Sequence, residues 1–320
     1  MLALLAVLVG CAPQIATAGP PREPARIEDT RLVMSDGAFL PLIRFIPPDP
    51  PRAIVLAIHG FNDYANAFAA VGRQLARDGI ATYAYDQRGF GAGPDHGLWP
   101  GTETLVNDAD TAVSLIAARH PQTPVFLLGE SMGGAELTAG VARGKFANAS
   151  GFVLLAPGVR GRSALPPGAS SMLWLLSRAV PWAAGRAPDF GLRPTDNPDT
   201  IRALVRDPLV IRETRVDALS GLVDLVDEAV AAAPRFDVPA LILIGRRDDI
   251  IPPDVIRSVI ERMPAASPAR RRVAVYNDGY HMLTRDRRGE IAIADIAAWI
   301  LSRNTAPDRA LPSGADRAPP

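Results

Sequence analysis

The chain has 320 residues, 48% of them hydrophobic, which suits one α/β domain with an inserted subdomain and a sizeable core. Lysine plus arginine number 34, as do aspartate plus glutamate, so the formal charge is zero and a nucleic-acid partner is excluded. The chain has one cysteine, four scattered histidines and no glycine-rich phosphate loop. These features exclude a metal-binding, disulfide-rich or nucleotide-binding protein, so no metal or cofactor is expected.

The chain begins with a short apolar run that predicts a signal peptide over residues 1–10. This run is too short to span a bilayer as a helix. Leu8–Cys11 resembles the bacterial lipobox, in which the cysteine is acylated after cleavage, and lipidation would explain the lone thiol. Residues 11–25 are then a lipidated Cys11 and tether that anchor the protein in the cell envelope. Alternatively, Ala16–Ala18 fits an ordinary A-x-A cleavage site and predicts a soluble secreted or periplasmic form.

Alternating strand and helix patterns predict an α/β fold with a mostly parallel, eight-stranded sheet and helices on both faces. The first two strands flank a hairpin turn at Ser35–Gly37 and are expected to be antiparallel. The predicted strands are Ile27–Met34, Phe39–Ile46, Ala53–Ile58, Ile80–Tyr85, Val125–Leu128, Phe152–Ala156, Leu241–Ile244 and Arg272–Tyr276. The predicted helices are Ala65–Arg77, Thr102–Arg119, Met132–Arg143, Leu219–Ala233, Pro253–Arg262 and Gly289–Leu301.

Two loops of this pattern are expected to shape a site without reacting. The third strand ends in His59-Gly60-Phe61, and the backbone N–H of Phe61 is the predicted donor to an oxyanion, with Gly60 allowing close approach. His59 is interpreted as a structural histidine that braces this loop. Asp86 and Arg88, after the fourth strand, are interpreted as braces of a neighbouring loop.

A G-x-S-x-G motif lies at Gly129–Gly133, between an apolar strand and a helix-forming stretch. In this context a sharp strand-to-helix turn exposes the serine hydroxyl, and glycines flank it because side chains would clash. Ser131 is therefore the predicted nucleophile. The backbone N–H of the next residue, Met132, is the second predicted oxyanion donor.

The alternation breaks over residues 158–234, a segment too long for an ordinary loop. We expect a helical lid over Ser131 that excludes water and shapes an acyl pocket. About half of the apolar side chains in Met172–Leu176 and Trp182 are expected to pack on the core. The core then consists of residues 26–157 and 235–304. The tail, residues 305–320, is rich in proline and is expected to be disordered.

A nucleophilic serine requires a base and an orienting acid, which follow it in the order acid then histidine on this kind of scaffold. His281 is the histidine well downstream of Ser131, and it follows a predicted strand. Asp248 and Asp249 follow the preceding apolar strand, so either carboxylate can reach the imidazole. We choose Asp248, with Asp249 as the close alternative. The nearby arginines of Arg270–Arg272 and Arg285–Arg288 are interpreted as solvated surface charge.

The chain resembles α/β-hydrolases of the monoacylglycerol lipase and lysophospholipase-like family, also described as serine aminopeptidase-like. The matching segments are His59–Phe61, Tyr85–Gly91, Gly129–Gly134, Gly245–Asp248 and Gly279–His281. They are spread over residues 27–303. One departure is Glu130, where many members of the family carry histidine.

The resemblance implies Ser131 as nucleophile, Asp248 as acid, His281 as base, and Phe61 and Met132 as oxyanion donors. It implies a serine ester hydrolase that cleaves single-chain lipid esters, such as monoacylglycerol or lysophospholipid, through an acyl-enzyme. Three alternatives stay open: an esterase for short-chain or xenobiotic esters, a peptidase of the same fold, and a non-catalytic binding protein of the envelope.

Overall fold

The computed structural model describes residues 12–186, 191–267 and 270–303. The predicted signal peptide (residues 1–10), Cys11 and the predicted disordered tail (residues 305–320) lie outside the described residues. None of the described helices has the length and apolar composition that crossing a bilayer would require.

A central sheet of nine strands organises the described residues, in the order β1-β2-β3-β5-β4-β6-β7-β10-β11. From β5 to β11 the neighbours are parallel, whereas β1 to β3 form an antiparallel edge joined to β5. The central strands β4, β5, β6 and β10 are buried along their whole length because helices cover both faces. The strands are β1 (Arg26–Ile27), β2 (Arg31–Val33), β3 (Phe39–Phe45), β4 (Ala53–Ile58), β5 (Ile80–Tyr85), β6 (Val125–Glu130), β7 (Gly151–Leu155), β8 (Ala184–Gly185), β9 (Thr214–Arg215), β10 (Ala240–Gly245) and β11 (Arg271–Tyr276).

The sheet has one strand more than the eight predicted from the sequence, because the expected first strand is divided. The chain reverses between Ile27 and Arg31, where the N–H of Glu28 donates to the carbonyl of Arg31 at 2.9 Å. β1 and β2 consequently pair with each other, with Ile27 opposite Leu32. The polar residues between β1 and β2 favour a turn. A strand prediction that follows only the apolar residues does not detect this turn.

Eight α-helices occur in the described residues, and they cover the sheet on both faces. Helices α1 and α8 pack on one face with the core that includes Phe68 and Trp299. Helices α2, α3 and α7 pack on the other face, around Val106 and Leu137. The helices are α1 (Ala69–Arg77), α2 (Thr102–Arg119), α3 (Met132–Ala142), α4 (Ala169–Ala179), α5 (Pro198–Arg206), α6 (Val216–Ala232), α7 (Pro253–Ile260) and α8 (Gly289–Ser302).

Helices α4, α5 and α6 and the ribbon of β8 and β9 belong to an insert between β7 and β10. Helix α6 packs on α3, the helix that begins after the predicted nucleophile, and α4 packs on α6. Helix α5 is absent from the sequence prediction, although its start carries a recognisable signal. The side chain of Asn197 accepts from the N–H of Asp199, and Pro198 occupies the first turn.

The apolar residues of α4 are more exposed than the sequence analysis expects. Met172, Trp174, Leu175 and Trp182 are each more than half exposed, and Leu176 is 37% exposed. Only Ser177 is buried within α4. The expectation that half of this group packs on the core is therefore wrong, because the helix meets the rest of the insert along one narrow side.

The predicted tether, residues 11–25, is hydrogen-bonded to the domain where it is described. The N–H of Gln14 donates to the Asp217 carboxylate (3.2 Å), and that of Ala16 donates to the carbonyl of Trp99 (2.9 Å). Further along, the N–H of Gly19 donates to Asp36 at 2.9 Å. This segment lies along the protein surface and is not a free linker, because backbone donors find partners on α6 and the neighbouring loops.

Candidate active site

Ser131 lies at the turn between β6 and α3, as the G-x-S-x-G motif predicts. Its backbone has φ 52° and ψ −112°, a conformation that non-glycine residues avoid at a cost of about 1–3 kcal/mol. The N–H of Ser131 donates to the carbonyl of Leu155 on β7, which holds the turn against the sheet. Gly133 is required because a Cβ there would lie 2.3 Å from the carbonyl oxygen of Ile58. The surroundings therefore enforce the strained turn that presents the hydroxyl.

His281 joins Ser131 to Asp248 in a continuous hydrogen-bonded line. His281 Nε2 lies 3.0 Å from Ser131 Oγ, and His281 Nδ1 lies 2.8 Å from Asp248 Oδ2. The Asp248 side chain is fully buried, and its Oδ1 accepts from the N–H groups of Ile250 (2.9 Å) and Ile251 (2.8 Å). These contacts fix the carboxylate, so Nδ1 carries the proton and Nε2 is free to accept one from the hydroxyl.

Of the two candidate acids, Asp248 contacts His281, whereas Asp249 is exposed. The loop that carries Asp248 is also fastened to the loop that carries His281. The N–H of Arg247 donates to the carbonyl of Gly279 at 2.9 Å. A Cβ on Gly245 would lie 2.4 Å from the carbonyl oxygen of Tyr280, so the end of β10 runs directly beneath that loop.

The loop after β4 lies against the elbow. A Cβ built on Gly60 would lie 3.4 Å from Ser131 Cβ, so the loop that continues into Phe61 approaches the elbow, and Met132 begins α3 directly after Ser131. His59 braces this loop from below. Its Nδ1 lies 2.8 Å from the Gly60 carbonyl, and its Nε2 accepts from the N–H of Gln87 at 3.1 Å. Burial lowers the pKa of His59, so the neutral ring donates through Nδ1.

The serine aminopeptidase, S33 family matches residues 49–288, three quarters of the chain. The chain belongs to this family. A monoacylglycerol lipase of Mycolicibacterium smegmatis is 27% identical over 80% of this chain and 90% of its own length. A monoglyceride lipase of Homo sapiens is 26% identical over 88% of this chain and 93% of its own length.

Solved structures share the fold of this S33-family member. A monoacylglycerol lipase of Paleococcus ferrophilus superposes with a TM-score of 0.70, at 23% identity over 82% of this chain and 99% of its own. A soluble variant of the monoglyceride lipase of Saccharomyces cerevisiae, in complex with a substrate analog, gives 0.72 at 19% identity, over 92% and 99%. The predicted α/β-hydrolase fold and the predicted enzyme class, a carboxylic ester hydrolase, are confirmed.

An apolar cluster borders the elbow of this family member on the side of the insert. Phe61 packs edge-on against Phe90, with ring centroids 5.7 Å apart, and lies 6.3 Å from Trp99. Met132 belongs to the same cluster, together with Leu225 and other residues of α6. The insert therefore contributes one wall of an apolar region next to Ser131.

Arg285 is misplaced by the sequence analysis, which assigns it to solvated surface charge. Its side chain is only 12% exposed, and its Nη1 lies 2.6 Å from Asp63 while its Nη2 lies 2.9 Å from Glu130. Burial opposes the charge, yet the two carboxylates raise the pKa of Arg285 above its ordinary value. The departure noted at Glu130 thus has a partner that lies far along the chain, which a local pattern does not reveal.

Asp86 and Arg88 brace neighbouring loops, in keeping with their interpretation from the sequence. The Asp86 carboxylate accepts from the N–H groups of Ala65 and Ala92, at 2.9 and 2.8 Å. Arg88 forms buried ion pairs with Asp36 and Asp108. Arg88 and Arg285 therefore have the same arrangement, in which one guanidinium lies between two carboxylates.

Proposed function

We propose that this protein hydrolyses single-chain lipid esters, such as monoacylglycerol or lysophospholipid, through an acyl-enzyme on Ser131. The observation that carries the proposal is the hydrogen-bonded line from Ser131 Oγ through His281 to the buried Asp248. Ser131 attacks the ester carbonyl while His281 Nε2 takes its proton. Asp248 holds the imidazole in the required tautomer and stabilises the imidazolium that forms.

The tetrahedral oxyanion lies between the N–H groups of Phe61 and Met132 in this mechanism. The proximity of Gly60 to Ser131, and the position of Met132 at a helix N-terminus, support these two donors. Loss of one such donor typically costs about 3 kcal/mol of transition-state stabilisation. His281 then protonates the departing alcohol, and water attacks the acyl-enzyme to release the fatty acid.

Two features support a lipid as the acyl donor. The names of the relatives describe monoacylglycerol and monoglyceride lipases. The apolar cluster of Phe61, Phe90, Trp99 and α6 offers a wall for an acyl chain beside the hydroxyl. The insert acts as a lid in this proposal, excluding water from the ester and admitting the chain between α6 and the core.

The exposed apolar side of α4 supports a position at a membrane surface. Residues 158–186 contain four arginines and no acidic residue, and two of these arginines, Arg162 and Arg186, pair with carboxylates outside the stretch. Arg178 lies over the ring of Trp174, 4.3 Å from its centroid. Apolar side chains with flanking cations suit an interface that contains anionic lipid.

We also propose a lipid anchor at Cys11 in a bacterial envelope, with a soluble secreted or periplasmic form as the alternative. Cleavage before Cys11 retains the contacts of Gln14 and Ala16 with the domain, whereas cleavage after Ala18 removes both. Cleavage before Cys11 is favoured because it keeps these two hydrogen bonds in the mature protein. Intact mass of the mature chain from envelope membranes tests this: a diacylated or triacylated N-terminal Cys11 supports the anchor, and an unmodified Gly19 terminus refutes it.

A panel of acyl esters of graded chain length, with aminoacyl amides beside it, tests the activity. Wild-type protein is expected to cleave long-chain monoacylglycerol and lysophospholipid in preference to acetyl and butyryl esters, and Ser131→Ala is expected to be inactive. Activity confined to short esters would overturn the lipid assignment and leave an esterase. Cleavage of aminoacyl amides alone would indicate a peptidase, and no serine-dependent turnover at all would indicate a binding protein.

A further inference from the structure

Three charged side chains, each at most 12% exposed, form a connected group that the mechanism above does not use. The Arg285 guanidinium contacts Asp63 Oδ2 at 2.6 Å and Glu130 Oε2 at 2.9 Å. The three side chains are 12%, 9% and 2% exposed, respectively. We call this group the loop triad. Both contacts are charge-assisted hydrogen bonds, which are short and directional. Water competes little for them because the side chains are nearly enclosed.

Each member of the loop triad belongs to a different segment of the active site. Asp63 ends the loop that carries Phe61, and its N–H donates to the carbonyl of Gly60 at 3.3 Å. Glu130 directly precedes the nucleophile Ser131 on the elbow. Arg285 follows His281 on the same loop. The oxyanion loop, the elbow and the histidine loop are thus joined through one guanidinium.

The Arg285 residue is itself held firmly. Its carbonyl oxygen accepts from the side chains of Thr200 (3.0 Å) and Asn197 (3.2 Å) at the start of α5. The adjacent Asp286 carboxylate accepts from the N–H of Tyr280, at 2.9 Å, which closes the loop around His281. The backbone of Arg285 is therefore fixed to the loop that carries the base, so the guanidinium links that loop to Asp63 and Glu130.

We infer that Arg285 is a positioning residue that sets the separation of Ser131 Oγ, His281 Nε2 and the oxyanion N–H groups. Its planar fork reaches two carboxylates at once, in directions that a single ammonium cannot reproduce. A misplacement of about 1 Å between reacting groups can cost roughly a hundredfold in rate. This inference rests on the proposed hydrolase function and adds three residues to its machinery.

The rival explanation is that the loop triad only stabilises the fold. The chain offers a matched control, because Arg88 also lies between two carboxylates, Asp36 at 2.7 Å and Asp108 at 2.6 Å. Asp36 lies on the β2–β3 turn, and its side chain is 7% exposed, close to the 9% of Asp63. Asp36→Asn and Asp63→Asn therefore each remove the charge of a carboxylate that pairs with an arginine at similar side-chain exposure, but only Asp63 lies on a loop of the active site.

The experiment compares Asp63→Asn, Glu130→Gln and Arg285→Lys with Asp36→Asn, measuring kcat, KM and Tm with a serine-dependent ester. We expect Asp63→Asn and Glu130→Gln to lose about tenfold to a hundredfold in kcat, with KM nearly unchanged. Asp36→Asn is expected to lower Tm to a similar extent and to keep the wild-type kcat. Arg285→Lys is expected to fold and to remain slow, because one ammonium cannot span both carboxylates.

Wild-type kcat in Asp63→Asn and Glu130→Gln, with only Tm reduced, would overturn the inference. Full rescue of kcat by Arg285→Lys would also overturn it, since charge alone would then suffice. Failure of the proposed function is distinguishable, because in that case the wild type would show no Ser131-dependent turnover. Comparable kcat losses in Asp36→Asn would assign the effect to general stability and would contradict the positioning role.

Discussion

Asp248→Asn tests the orientation of the base most sharply. Asparagine keeps the volume of the buried side chain, and its Oδ1 can still accept from the N–H groups of Ile250 and Ile251. In the wild type, the oxygen Asp248 Oδ2 lies 2.8 Å from His281 Nδ1. In the variant an NH2 group takes the place of this oxygen, and it donates a hydrogen bond instead of accepting one. The imidazole must then accept at Nδ1 and carry its proton on Nε2, where it can no longer accept from Ser131.

We expect kcat to fall about ten-thousandfold, equivalent to roughly 5.5 kcal/mol of transition-state stabilisation, while Tm changes little. Initial rates at saturating ester, with thermal melts on the same preparations, measure both quantities. Asp249→Asn is the matched control, because that neighbour is exposed and should keep wild-type turnover. Equal losses in the two variants, or a loss below about tenfold in Asp248→Asn, would refute the assignment of Asp248.

Three further predictions concern stability, membrane contact and the elbow. Burial, and to a lesser extent the nearby Asp108, raises the pKa of Glu136 in the folded protein. In the unfolded chain Glu136 ionises at lower pH, so the folding stability falls as pH rises above the ordinary glutamate range. Glu136→Gln should therefore flatten the pH dependence of Tm, and an unchanged slope would contradict the burial argument. Trp174→Ala should raise KM about tenfold for monoacylglycerol in anionic vesicles and leave a soluble short ester unaffected; equal effects on both substrates would exclude a lipid-facing α4. Gly133→Ala places a methyl group 2.3 Å from the Ile58 carbonyl and should cost about 1–3 kcal/mol of folding stability and much of the activity, whereas Gly185→Ala, in open space, should cost neither; a fully active, stable Gly133→Ala would contradict the packing of the elbow.

The elements that sequence reasoning predicted share a local cause. Apolar strands bounded by glycine are recognisable from composition, and the carboxyl ends of parallel strands meet at one edge of the sheet. Ser131, Asp248 and His281 each follow such a strand, so their order along the chain was enough to predict that they meet. The choice of Asp248 over Asp249 required coordinates, because adjacent residues point to opposite sides of a turn.

The features that sequence reasoning missed depend on partners far apart along the chain. Arg285 resembles surface charge in its local context, and only the folded chain brings Asp63 and Glu130 to it. The exposed apolar side of α4 could not be separated from a core-facing helix, because both have the same composition. Gln14 contacts Asp217, which lies far along the chain. The proline- and alanine-rich sequence around Gln14 gives no local indication of this contact.

The central claim is that Ser131 becomes covalently acylated with His281 as its base. Mass spectrometry of the protein after treatment with a fluorophosphonate, with rates of adduct formation for each variant, tests it most directly. The account predicts one adduct per chain on the peptide that contains Ser131, none in Ser131→Ala, and formation at least about a thousandfold slower in His281→Ala. An adduct elsewhere, or equal rates with and without His281, would contradict it.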